Sequence, residues 1–514
     1  MSDRLAHPAM PWLVLPLLLG ACFFLGLGAL PLFDVDEGAF SAASWEMLQR
    51  GDFITPWLYD EPRFDKPILI YWLQIASIHL FGIHEWAFRL PSAVAATLWV
   101  LAIFAFTWRW LDPSRALLAS TIAATSAGVF LIGHAATADA LLNLFFALAL
   151  LDMFNYHQQR RSQILYRVYL WIALAVLTKG PVGIFIPLMV SFLFYLVERD
   201  LAAWLKAIFN PRGWLMLVVI ALPWYVAEYL AQGQAFIDGF FLKHNIGRFT
   251  NTMEGHGGAR YYYLIVVFLV VMPFAGLLLA TLGHIKNLYR NSLNRFLLIW
   301  FLFVLAFFSF SHTQLPHYIL YGCTPLFILM ADRLKQRPNP WLLTLPAVVI
   351  ALPLLFLPEI VAQAVTNTTD AFQQATLTLA QKNIAPTYRP FALLLVLNIA
   401  TGLWLARPYP TGWTLVAGFA QVLFLTGALL PVVANTQQVP VREAAAKARA
   451  LDRPTVMWHA HLPSFEVYRQ RITPRREPEP GELALSRVGH FDDLPHRVLY
   501  QKGGVALIER IQTP

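Results

Sequence analysis

The run ILIYWLQIASIHLF (residues 68–81) decides how this chain is threaded. As a helix it rises only about 21 Å, short of the roughly 30 Å of hydrocarbon in a bilayer. Counted as a span, it brings the total of apolar runs to fourteen and returns the C-terminus to the side of the N-terminus. Laid along the surface, it leaves thirteen spans and puts the two termini on opposite sides.

The basic loops choose between the two. Lys and Arg concentrate in short loops at Arg109–Arg115, Arg160–Arg167, Arg199–Arg212, Lys286–Arg295, Arg333–Arg337 and at Arg407. Positive charge marks the cytoplasmic side, and only thirteen spans put every one of these loops there with the N-terminus. The opposite side then holds residues 33–66, 134–138, the turn at Lys179–Pro181, 232–260, 312–317, 358–386 and everything after 433.

The composition agrees with a polytopic membrane protein. Of 514 residues, 58% are hydrophobic and 13% charged, about half the charged fraction of a soluble domain, and the mean hydropathy is +0.54. Apolar runs of roughly twenty residues recur from Pro11 to Val433, the length a membrane helix needs. The first run is long, has no small-residue cleavage site and leads into further spans, which argues against a signal peptide. A net charge of +8 placed in membrane-flanking loops is orientation charge and not a nucleic-acid surface. Cys22 and Cys323 lie inside apolar runs and make no disulfide framework. The predicted fold is an all-α polytopic bundle over residues 1–433. A small α/β domain follows over 434–514, with strands at TVMWHAH (455–461), LALSRV (483–488) and around Gly503-Gly504.

Polar residues sort by side. The non-cytoplasmic side collects Asp34, Asp36, Glu37, Arg63, Asp65, Lys66, His134, Asp139, Lys179, Lys243, His244, Arg248, His256, Arg260, His312 and His317. In LFDVDEGAFSAASWEML (32–48), an acidic first helical turn would account for one or two carboxyls. Three exceed that need, so one is expected to serve as general base or metal ligand. RFDKP (63–67) reads either as a membrane anchor with a Pro-started helix, or as Arg63 and Lys66 for a phosphate beside Asp65 for a cation. In LTKGPVGIFIP (177–187), Lys179 has apolar sequence on both sides; snorkelling would explain it, but an intramembrane charge points to function. Asp139 is an N-cap or a site residue. His244, Arg248, His256 and Arg260 share the 232–260 loop and its edge, and His317 follows in SHTQLPHYIL (311–320), where an interfacial histidine is the plainer reading.

There is no H-E-x-x-H and no Cys/His ligand spacing, so a divalent metal would need ligands from separate segments. There is also no Walker loop, no G-x-G-x-x-G and no nucleophile elbow; no nucleotide cofactor is expected. A reaction on the outer face then needs an energy-rich substrate delivered within the membrane, such as a sugar on a lipid phosphate.

The segment DVDEGAFSAASWEMLQRGDFITPWLYDEPRFDKPILIYW (34–72) resembles the first periplasmic loop of the ArnT/protein-mannosyltransferase group of GT-C glycosyltransferases. LTKGPVGIFIP, HNIGRFTNTMEGHGG with the tyrosines after it, and QLPHYIL match further blocks of that group in order, over roughly residues 10–335. The resemblance implies a GT-C bundle of about thirteen spans in the bacterial inner membrane, with its cavity on the periplasmic face. It implies inverting transfer of a sugar from a polyprenyl (undecaprenyl) phosphate to a lipid or glycan acceptor, lipid A foremost. Transfer to protein or another glycan is the alternative, and a lipid-linked sugar flippase the more distant one. Asp36 is then the catalytic carboxylate, with Glu37 and Lys66. Arg63, Lys179, Arg248 and Arg260 hold the donor phosphate, Asp139, His244 and His317 are further site candidates, and Asp65 with His256 would hold a divalent metal. The chain departs from the ArnT pattern at Ala39-Phe40, where that group has Arg-Tyr, and at Arg63, where it has Tyr. Arg63 is expected to supply the missing guanidinium.

Overall fold

The segment at 68–81 forms a helix over Leu69–Phe81, thirteen residues long and too short to cross a bilayer. The computed structural model describes residues 10–247, 258–384, 386 and 388–512. In chain order the first elements are α1 (Met10–Phe23), α2 (Asp36–Arg50), the strands β1 (Trp57–Leu58) and β2 (Glu61–Pro62), α3 (Leu69–Phe81), α4 (Glu85–Trp110), α5 (Pro113–Thr125), α6 (Ala127–Gly133), α7 (Asp139–Gln159), α8 (Ser162–Lys179) and α9 (Val182–Val197).

Seven helices among the described residues are long and apolar enough to span a membrane: Glu85–Trp110, Asp139–Gln159, Pro211–Gln232, Ser292–Ser309, Pro340–Asn367, Tyr388–Leu405 and Pro410–Gln437. An eighth is counted if α5 and α6, bent by 65° at their junction, act as one span. This is fewer than the thirteen expected, because several apolar runs stop short or break. α1 has 14 residues and α9 has 16. The run after Tyr261 divides into Tyr262–Val270 and Ala275–Leu282 around Pro273, which has no backbone N–H to continue a helix.

The helix starts follow ordinary capping chemistry. Asp112 accepts from Arg115 N at 2.8 Å ahead of Pro113, and Asn210 accepts from Gly213 N at 3.0 Å ahead of Pro211. The basic loops meet at one end of the bundle: Arg115 pairs with Asp332, Arg295 with Glu198 and Arg160 with Asp200. The opposite end gathers the first loop with residues 134–139, 179, 228, 244 and 317.

Beyond Gln437 the helix Val439–Leu451 leads into a four-stranded sheet of β3 (Thr455–Met457), β4 (Leu483–Arg487), β5 (His496–Lys502) and β6 (Val505–Arg510), ordered β3-β4-β6-β5. β3 runs parallel to β4 and the other pairs are antiparallel. The strand period of two splits the side chains: Leu483, Leu485 and Leu507 pack on Ala444, Ala448 and Phe465, while Ala484, Ala506 and Ile508 face Val456 and Phe491. The first group also encloses Tyr59 from the first loop, so this sheet is built against the same end of the bundle.

Candidate active site

The three acids of DVDEG have three different fates. Glu37 is 4% exposed and its two oxygens take four donors: Arg89 Nε (2.7 Å) and Ala136 N (2.9 Å) on Oε1, Phe33 N (2.7 Å) and Arg89 Nη2 (2.9 Å) on Oε2. Arg89 spends its remaining N–H groups on the carbonyls of Leu27, Leu30 and Pro31. Every lone pair that faces protein is used, so Glu37 pins α1, α2, α4 and the 134–138 turn together. This corrects its expected catalytic role: it holds the loop and has no capacity left for substrate.

Asp34 reaches the C-terminal sheet unit, accepting from Ser464 N on Oδ1 (2.9 Å) and from Ser464 Oγ on Oδ2 (2.6 Å). Asp36 opens α2 and is exposed, and its carboxylate makes no hydrogen bond or ion pair with the described residues. The N-cap Val35 offers no side-chain cap either. Of the three acids, Asp36 is the one left available.

It borders a cavity of about 760 Å³. Apolar walls come from Leu25, Phe130, Phe419, Leu423 and Leu430, and the polar end holds Asp36, Asp139, His134 and His317. A chamber with an oily flank and a charged head suits a lipid-borne molecule.

Two polar clusters stand beside Asp36. In the first, Arg63 Nη2 donates to Asp65 Oδ2 (3.0 Å), Arg63 Nη1 donates to the Tyr71 hydroxyl (3.2 Å), and His244 Nε2 lies 2.8 Å from Asp65 Oδ1. The Lys66 ammonium donates to the Asp65 carbonyl at 3.1 Å. Burial would raise the Asp65 carboxyl, but Arg63, His244 and Lys66 outweigh it and hold it well below the usual carboxylate range. Burial also opposes the charge on Arg63, and Tyr71, Asp65 and Asp36 more than restore it. The Arg63 guanidinium stands 5.1 Å from the ring centroid of Phe40. The two positions at which the sequence departs from the ArnT pattern therefore touch: the guanidinium lies on the aromatic face that Phe40 supplies.

In the second cluster, Lys179 Nζ donates to Asp139 Oδ1 (2.7 Å) and to the Tyr321 hydroxyl (2.6 Å), and Tyr321 also donates to Asp139 Oδ1 (3.0 Å). His317 Nε2 is 3.6 Å from the same oxygen. Lys179 sits 5.0 Å from the Tyr318 ring and 5.3 Å from the Tyr321 ring. The clusters converge, since the charges of Asp139, Lys179, Asp36 and Lys66 all act on His317.

Arg248 and His256 lie outside the described residues. Arg260 is exposed, 5.9 Å from the Phe310 ring, and joins neither cluster, so the structure does not bring it to the donor-phosphate site expected for it. Among the described residues no group of three His, Cys, Asp or Glu side chains is placed to hold a metal. Sequence reading passed over Arg89, Tyr71, Tyr318 and Tyr321. Arg89 carried a signal, being a lone guanidinium in the apolar stretch EWAFRLPSAV (85–94). The tyrosines looked like an interfacial belt.

The family described as dolichyl-phosphate-mannose-protein mannosyltransferase matches residues 65–226. An uncharacterized protein of Aquifex aeolicus is 31% identical over 315 residues, covering 61% of this chain and 71% of the relative. The undecaprenyl phosphate-alpha-4-amino-4-deoxy-L-arabinose arabinosyl transferase of Aeromonas hydrophila is 31% identical over 346 residues, covering 64% of this chain and 62% of the relative. In three dimensions the chain is similar to the crystal structure of ArnT from Cupriavidus metallidurans bound to undecaprenyl phosphate. The TM-score is 0.82 at 20% identity, with 98% of each chain covered.

Proposed function

Because the chain belongs to the ArnT-like, protein-mannosyltransferase-related GT-C glycosyltransferase family, we propose that it moves a sugar from undecaprenyl phosphate to an acceptor on the periplasmic side of the bacterial inner membrane, with lipid A as the first candidate. The observation that carries this reading is the position of Asp36, an uncommitted carboxylate on the polar rim of an apolar cavity, with Arg63, Lys66 and Lys179 converging beside it.

The chemistry follows from the charges. As the bond between the sugar anomeric carbon and the phosphate oxygen breaks, negative charge gathers on the departing lipid phosphate. Cations already fixed in a partly dry site stabilise it without reorganisation. Arg63 is locked by Asp65, Tyr71 and Phe40, and Lys179 by Asp139 and Tyr321, so both are preorganised. Asp36 takes the proton of an attacking hydroxyl, which bonds to the anomeric carbon from the face opposite the phosphate and inverts it. If the acceptor is a phosphate, it needs no base, and Asp36 instead positions it and stabilises positive charge on the sugar.

A divalent ion held by Asp65 with His256 is a further part of the proposal. Asp65 offers it a carboxylate whose two oxygens already face Arg63 and His244, so metal binding must displace one of them. Transfer that survives exhaustive dialysis against EDTA removes the metal from the reading; loss that zinc or magnesium restores supports it.

The deciding experiment compares lipid A and periplasmic glycoproteins by mass spectrometry in a deletion strain complemented with wild type or Asp36→Asn. Wild type restoring a sugar on lipid A while Asp36→Asn, expressed at the same level, does not is the expected result. Full restoration by Asp36→Asn ends the catalytic assignment. A sugar restored on protein instead moves the acceptor to the alternative class.

A further inference from the structure

The C-terminal sheet unit touches the first loop through one short stretch, residues 461–468, and its contacts are unlike those of an appended module. Ser464 bonds both oxygens of Asp34, two residues before Asp36. The Gln438 amide, with its nitrogen turned toward Asp34, donates to Oδ2 at 3.3 Å and to the Leu32 carbonyl at 3.2 Å. The Tyr468 hydroxyl accepts from Leu32 N at 2.7 Å and donates to Glu85 at 3.2 Å. At the far end of α2, Glu466 meets Glu46, and both are fully buried. Glu46 in turn accepts from Tyr59 N at 2.6 Å.

Tyr59 and Asp60 form the two-residue turn between β1 and β2, with φ of 61° and 71°. Left-handed backbone at two successive non-glycine residues costs on the order of 1–2 kcal/mol each and persists only when neighbours over-determine it. Here the neighbours belong largely to the C-terminal unit: the Tyr59 hydroxyl lies 3.1 Å from His461 Nδ1, and the Arg475 guanidinium stands 5.6 Å from the Tyr59 ring. Arg63 follows the turn by four residues, within about 14 Å of extended chain.

Resting on the transferase reading above, the geometry points to residues 461–468 as a latch that positions the active loop from both ends. Ser464 and Tyr468 set the residues entering α2 and hence Asp36. Glu466 and His461 hold the strained turn and hence Arg63. The C-terminal unit is therefore a working part of the transfer site, and Ser464, Tyr468, Glu466 and His461 are positioning residues of it.

The test uses the full-length protein in detergent and measures sugar transfer from the lipid-phosphate donor, together with melting temperature and binding of undecaprenyl phosphate. Ser464→Ala and Tyr468→Phe are each expected to lower kcat by about 10- to 100-fold, the size of effect that a misplacement near 1 Å produces. KM for donor and acceptor should change less than about threefold, undecaprenyl phosphate should still bind, and Ser464→Thr should recover most of the rate. Tyr468→Phe keeps the ring and removes only the hydroxyl, so it separates the latch from gross packing. Retention of wild-type kcat by both variants overturns the latch. So does a loss that appears only as raised acceptor KM, which would make the C-terminal unit an acceptor-binding module. Either result leaves the transferase reading standing so long as Asp36→Asn stays inactive.

Discussion

Glu37 and Arg89 form a two-pronged ion pair at 2.7 and 2.9 Å with both side chains only 4% exposed. Each partner also satisfies backbone groups of three other segments, so the pair is a joint of the fold. Breaking a buried pair from one side strands the other charge and costs about 3–5 kcal/mol. Glu37→Gln and Arg89→Met are each expected to lower the melting temperature and the yield of folded protein, with the double variant milder than the sum of the two. A Glu37→Gln protein that melts like wild type yet transfers no sugar would restore Glu37 to the chemistry.

Arg63 binds through its shape as well as its charge. It donates to Asp65 and Tyr71 from two nitrogens while its plane lies over Phe40. A lysine offers neither the fork nor the flat face. Arg63→Lys should therefore behave nearly as Arg63→Ala, with transfer reduced by about 10²-fold or more. Steady-state rates at saturating donor decide this, and a fully active Arg63→Lys would sink it.

Lys179 is tied to Asp139, so a simple deletion confuses stability with binding. Lys179→Met leaves the buried Asp139 carboxylate with Tyr321 and His317 as its nearest partners. Adding Asp139→Asn should recover much of the lost melting temperature. If Lys179 stabilises the leaving phosphate, transfer stays low in the double variant. A double variant with wild-type turnover would assign the lysine to structure alone.

The latch carries a pH dependence whose sign can be worked out. Burial, and then the neighbouring charge of Glu46, push the Glu466 carboxyl up; burial pushes Asp34 up to about 7 against the two bonds from Ser464. Arg50 and Arg469 also face the acid pair and oppose the shift in Glu466. In the unfolded chain both acids release their protons near pH 4, so the folded state binds more protons above that. The stabilisation is full below about pH 4 and is lost as the pH rises, for Asp34 by about pH 7. The melting temperature should fall between pH 5 and pH 8. Glu466→Gln, a neutral hydrogen-bonding side chain, should flatten that slope and melt higher at pH 8. Parallel wild-type and Glu466→Gln curves would refute the assignment.

The reading of 68–81 as a segment too short to span rests on length alone, and length is a local property; Leu69–Phe81 forms as expected. The strands after 454 were legible because side-chain alternation is local too. The number of crossing helices was less so, because whether an apolar run stays straight depends on what packs against its weak points, as the 65° bend between α5 and α6 shows.

Composition and periodicity were enough to determine that this chain is a multi-helical membrane protein with polar residues gathered at the opposite end from its basic loops. The order of its blocks was enough to indicate the transferase family. What sequence left open was which acid in DVDEG does what, since Asp34, Asp36 and Glu37 are interchangeable as letters in an acidic turn. Only the tertiary structure separated them, because a carboxylate's role is set by the donors that reach it. Ser464 reaches Asp34 across 430 positions and Arg89 reaches Glu37 across 52. Asp36 is left facing the cavity.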